Sequence, residues 1–197
     1  MKRIPRIGVA LHAATIAACA SSPPTLVALP APSPREGHQT VGPTSEASIL
    51  LRPVVLPGYL DNYPVLITRS GNTLILSKDT EWAEPLRDAV ARALRASLSQ
   101  RVGPSRVLID GDGRLPDADL SVEFLALDPQ QGVLRLDARW TFSCTARKSR
   151  GRADRTSLEV PLADASPAGI ASATAEALGR FADVLAAQAP CLAEPVG

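Results

Sequence analysis

The stretch Val133-Leu134-Arg135-Leu136-Asp137-Ala138-Arg139-Trp140-Thr141-Phe142-Ser143-Cys144-Thr145 alternates apolar and polar residues from Leu134 onward. Side chains on a strand point alternately to opposite faces. Leu134, Leu136, Ala138, Trp140, Phe142 and Cys144 therefore share one face, and Arg135, Asp137, Arg139, Thr141 and Ser143 share the other. Such a strand belongs to a sheet with one face buried and one face wet, which is the antiparallel habit.

Its surroundings fit that reading. Upstream, Leu120, Val122, Phe124 and Ala126 alternate with Ser121, Glu123 and Leu125, predicting a partner strand over 120–127. Downstream, a basic turn at 147–155 leads to a strand near 157–162. Shorter strands are expected at 49–55, at 65–69 and 73–77 around the turn signal Ser70-Gly71-Asn72, and at 106–109. Pro53 pushes the first of these towards an edge or a bulge.

Two helices complete the pattern. Trp82, Leu86, Ala89, Val90, Ala93, Leu94 and Leu98 recur at three- and four-residue steps, with Pro85 at the first helical position and Asp79 and Glu81 near the N-terminal dipole. Ser166-Pro167 opens a second helix that carries Ile170, Ala173, Ala177, Leu178, Phe181 and Leu185 inward and stops at Pro190. The expected fold is α+β, a mostly antiparallel sheet with both amphipathic helices on one face.

The N-terminus sets the compartment. Lys2, Arg3 and Arg6 precede an apolar run from Ile7 to Ala18, too short to span a bilayer and long enough for a secretory signal. It ends in Ile16-Ala17-Ala18-Cys19, which is similar to the bacterial lipobox, where the cysteine thiol receives diacylglycerol and the signal is cut just before it. Residues 1–18 read as that signal, 19–48 as a Pro/Ser-rich tether, 49–189 as one folded domain and 190–197 as a tail. Within the tether, Thr25-Leu26-Val27-Ala28-Leu29-Pro30 is an apolar piece suited to an edge strand. Ala20, not an aspartate, follows the cysteine, which favours the periplasmic face of the outer membrane over inner-membrane retention.

Removal of the signal leaves 18 basic against 20 acidic residues, so no basic surplus points to nucleic acid. With Cys19 acylated, Cys144 and Cys191 are the remaining thiols in an oxidising compartment. They are candidates for a disulfide or for two separate buried thiols.

Candidate chemistry is sparse. His12 leaves with the signal and His38 lies in the tether, so the expected domain has no histidine for a triad or a metal site. Asp110, Asp112, Asp117 and Asp119 suggest a calcium loop, but position 121, where an EF-hand needs glutamate, is Ser121. Asp-Gly turns account for them. Neither a metal nor a cofactor is expected. Arg147, Lys148, Arg150, Arg152 and Arg155 read as a solvated hairpin tip, and Trp82 and Trp140 as core.

The order of motifs then becomes informative. After the lipobox come Leu29-Pro30, Tyr59-Leu60-Asp61, Ile67-x-Arg69, Asn72-x-Leu74, Trp82-Ala83-Glu84-Pro85-Leu86 and Asp117-Ala118-Asp119. This resembles the PqiC-type (YmbA-like) family of ABC-transport auxiliary lipoproteins over about residues 19–187. The basic hairpin at 147–155 and the tail with Cys191 depart from it. The resemblance implies a non-catalytic periplasmic accessory, held by its lipid to the outer membrane. Its partner would be an MCE-domain protein of a system moving lipids between the two membranes, and it would act as a homo-oligomer. Tyr59, Leu60 and Asp61 are the candidate partner surface, with Trp82 and Leu86 holding the first helix. An alternative is a carrier domain that itself holds an acyl chain between helices and sheet, which requires a sizeable apolar cavity.

Overall fold

A computed structural model describes residues 22–32, 47–61, 64–145 and 151–189. Cys19, Arg147, Lys148, Arg150 and Cys191 lie outside them, as do the signal and the tail. The strands are β1 (Thr25–Val27), β2 (Ile49–Leu51), β3 (Pro64–Ser70), β4 (Thr73–Trp82), β5 (Val107–Leu108), β6 (Ala118–Gln130), β7 (Val133–Cys144) and β8 (Arg152–Pro161). The helices are α1 (Leu86–Val102) and α2 (Pro167–Gln188).

The class is α+β, as expected, but the strands form two sheets. One has the order β5-β2-β6-β7-β8, the other β1-β4-β3. The long pairs β6–β7, β7–β8 and β3–β4 are antiparallel. The short strands β1, β2 and β5 add parallel edges, which makes both sheets mixed.

The β6–β7 pair is the backbone of the fold. Gln131 and Gly132, both at positive φ, close it in a two-residue turn that matches the strand twist. Leu134, Leu136, Ala138, Trp140 and Phe142 are buried on the inward face of β7. On β6 the simple alternation fails. A bulge between Phe124 and Ala126 inserts one residue, so Leu127 is buried and Ala126 is only partly covered. One inserted residue exchanges the faces of everything after it. Edge-to-face contacts pair Phe124 with Phe181 of α2, ring centroids 5.9 Å apart, and Trp140 with Phe142.

Helix α2 begins as the sequence predicts, with Ser166 as N-cap accepting a hydrogen bond from the Gly169 N–H (3.0 Å) and Pro167 in the first turn. Helix α1 begins one residue later than expected. Pro85 is its N-cap, in an extended conformation, and Trp82, Asp79 and Glu81 belong to β4. The stripe had absorbed Trp82 because it stands four residues before Leu86. Its indole is buried all the same. The helices are tied together by Arg101, whose Nε is 2.8 Å from Asp183 Oδ1 and whose Nη1 donates to the Ser97 carbonyl.

Three other boundaries move. Pro53 ends β2 at Leu51, and pairing with β6 resumes only at Val55. Arg106 lies in a 3₁₀ turn before β5. Arg152 and Arg155, expected in the turn, are in β8, where Arg155 bonds the buried Asp137 through Nε (2.8 Å) and Nη2 (2.5 Å).

Candidate functional site

Pro57 to Asp61 form a 3₁₀ turn closed by the bonds Leu60 N–H to Pro57 O (2.9 Å) and Asp61 N–H to Gly58 O (3.2 Å). Successive side chains of such a tight turn leave in different directions, and each of the three finds a different neighbour. Leu60 enters the core and is 4 % exposed. Asp61 pairs with Arg87 on α1, Oδ2 to Nη2 2.6 Å. Tyr59 is half-buried and its phenol donates to Asp128 Oδ2, near the end of β6.

Asp128 is buried, so its carboxylate needs partners in place of water. The second is Arg69 of β3, with Nη1 3.3 Å from Asp128 Oδ2 and 3.4 Å from Tyr59 Oη. The same guanidinium carbon lies 5.4 Å from the Tyr59 ring centroid, a cation–π distance. Burial, then the adjacent Asp128, raise the Tyr59 pKa well above its ordinary value. The phenol thus stays protonated and donates to Asp128. The cluster clamps the turn, the β3–β4 hairpin and β6 together.

Of the sequence-predicted surface, then, Tyr59 and Asp61 face outward in part while Leu60 anchors them from inside. Asp128 and Arg69 complete the cluster. Asp128 carries a signal in retrospect, being the one charge in Leu125-Ala126-Leu127-Asp128-Pro129. The four aspartates all have structural work: Asp110 and Asp119 form ion pairs with Arg52, Asp112 accepts from the Ile109 N–H, and Asp117 accepts from the N–H and hydroxyl of Ser48. Cys144 is disulfide-bonded, and its partner lies outside the described residues.

Beneath Tyr59, between Leu60, Trp82, Leu86, Leu127 and Thr174, is a void of about 10 Å³. That is room for about one water. A larger groove, about 610 Å³, runs outside the helices between Pro30–Pro32 and Arg101, Glu176, Arg180 and Asp183. It is open and edged with charge. Neither has the form of an enclosed acyl-chain pocket, and no described helix is long and apolar enough to cross a membrane.

The family model described as the ABC-type transport auxiliary lipoprotein component matches residues 28–186. The chain belongs to that family. This auxiliary lipoprotein is PqiC/YmbA-like, as its motif order suggested, and is a component of an ABC-type transport system. Its fold is shared with solved structures of low identity. A crystal structure of an uncharacterized protein matches with a TM-score of 0.68 at 15 % identity, covering 85 % of this chain and 99 % of the other. A Xanthomonas campestris protein matches with a TM-score of 0.64 at 14 % identity, covering 82 % and 92 %. No curated protein sequence matches the auxiliary lipoprotein.

Proposed function

We propose that this auxiliary lipoprotein is a non-catalytic, periplasmic accessory subunit of an MCE-type ABC lipid transport system. In this reading Cys19 carries the acyl anchor, the outer membrane holds it, and the turn at Tyr59–Asp61 docks an MCE-domain protein. The observation that carries the proposal is the family match over residues 28–186, preceded in the same chain by Ile16-Ala17-Ala18-Cys19. A multiply acylated cysteine is a stable tether, since each buried CH₂ contributes about 0.8 kcal/mol. The docking role of the turn is supported by its rigidity. Leu60 in the core, Asp61 on Arg87 and Tyr59 on Asp128 hold it in one shape, so little order is lost on binding. Self-association of the subunit and a Cys144–Cys191 disulfide belong to the same proposal.

Binding of the purified lipoprotein to the MCE-domain protein tests it. Asp61→Asn, which removes the exposed charge while keeping a polar partner for Arg87, weakens binding at least tenfold in this account. Unchanged affinity in a variant with wild-type thermal unfolding removes the turn from the interface.

A further inference from the structure

The β3–β4 hairpin ends in Ser70-Gly71-Asn72-Thr73-Leu74-Ile75-Leu76-Ser77, eight residues without a charge, bracketed by Arg69 and Lys78. Leu74, Ile75 and Leu76 are 38 %, 51 % and 38 % exposed. Neighbouring strand residues point to opposite faces, so exposure of three in a row means that both faces of the ribbon tip are uncovered. Exposed strands in soluble proteins are normally guarded by charge, because an uncharged apolar ribbon invites pairing and aggregation. The charge nearest the tip is Arg69, directly opposite Leu74, and its guanidinium is engaged by Asp128 and Tyr59, which leaves Ile75 and its neighbours on β4 unguarded.

Its place in the fold says what covers it. Strand β1 runs parallel to β4, with Thr25 opposite Thr80 and Val27 opposite Trp82. The chain therefore enters β1 from the side on which β4 begins, which is the side of the hairpin tip. Cys19 precedes Thr25 by six residues, and Leu74 precedes Thr80 by six. Six extended residues reach about 20 Å at most. The tip is thus within the reach of the anchor, and Leu26 of β1, 61 % exposed, adds apolar surface on the same side. The tip is also held in direction, since Arg69, opposite Leu74, is fixed to Asp128 and Tyr59.

We infer that Leu74, Ile75 and Leu76 sit in the interfacial layer of the membrane that the acylated Cys19 occupies, as a second contact that fixes the orientation of the domain. The inference rests on the Cys19 anchor of the proposed function. Depth is limited to the headgroup and upper acyl region, because the hairpin's outer backbone groups need polar partners that hydrocarbon does not supply. The occupant is a lipid surface. A chain anchored only by a flexible tether would tumble, whereas two contacts present the Tyr59 turn at one fixed attitude.

The test uses the full-length acylated protein in phosphatidylethanolamine/phosphatidylglycerol vesicles, with or without brominated acyl chains that quench tryptophan. Ile75→Trp is compared with Leu115→Trp, which is 93 % exposed just before β6, at the opposite end of that strand from Asp128. Emission from the native Trp82 and Trp140, both buried, is subtracted using the wild type. A blue shift and bromolipid quenching at position 75, and neither at 115, is the expected result. Vesicle-bound protein with no quenching at 75 overturns the inference, as does a blue shift without quenching, which would place a protein or a second copy on the tip. Failure of the wild type to float with vesicles defeats the Cys19 reading instead.

Discussion

The phenol of Tyr59 donates its proton to Asp128, a residue 69 positions away in the chain and buried near the end of β6. Arg69 closes the same cluster from β3. Three separate pieces of backbone thereby meet at one carboxylate, and the loop expected to face a partner is held rigid by the fold it projects from.

Tyr59→Phe removes a hydrogen bond to a charged group at a half-buried site, leaving Asp128 to Arg69 alone. A loss of about 1–2 kcal/mol in urea unfolding is expected, with the slope unchanged.

The same phenol gives a pH signature. Its pKa is raised above the ordinary 10.0 by burial and by Asp128. The unfolded chain therefore releases this proton first, and stability falls as pH rises above about 10. Tyr59→Phe flattens that part of the stability curve, and absorbance titration of the wild type shows a tyrosine ionising late.

At the acid end, Asp137 acts with the opposite sign. The Arg155 guanidinium holds its carboxyl below the ordinary carboxylate range. Its stabilising contribution is present above that range and is lost as pH falls through the lowered value. Arg155→Gln destabilises the protein at neutral pH, and the difference from wild type narrows below about pH 4.

Phe181→Ala opens a cavity against Phe124 at the contact between α2 and β6, both rings being buried. The expected cost is about 3–5 kcal/mol in thermal or denaturant unfolding.

Gly169→Ala probes the start of α2. Alanine is the better helix former by about 1 kcal/mol, yet a Cβ there would lie 2.7 Å from the Asp164 carbonyl and against its carboxylate. The clash outweighs the propensity, and a net loss of about 1–3 kcal/mol is expected.

Both helices and the β6–β7 pair were legible because each carries a long run of one period, 3.6 or 2 residues. The Ser166-Pro167 start was legible because its bond partners lie within four residues. The bulge at Leu125 was hidden, since Phe124-Leu125-Ala126-Leu127 is apolar throughout and offers no polar residue to mark where the faces exchange. The division into two sheets was equally hidden. Strands as short as β1, β2 and β5 bury too few residues for sequence to choose their neighbours. At the site, Tyr59-Leu60-Asp61 stood out as a motif, but the inward course of Leu60 depends on the turn's dihedrals. The partnership with Asp128 depends on a contact 69 residues long, on which local pattern is silent.

The central claim is that an anchored, non-catalytic subunit serves a lipid transporter, and affinity capture of the acylated protein from the cells that make it tests this most directly. The account predicts that an MCE-domain protein with its permease and ATPase is enriched with the wild type and depleted in Cys19→Ser. Capture of the wild type at full yield with no MCE-domain protein after crosslinking would contradict it.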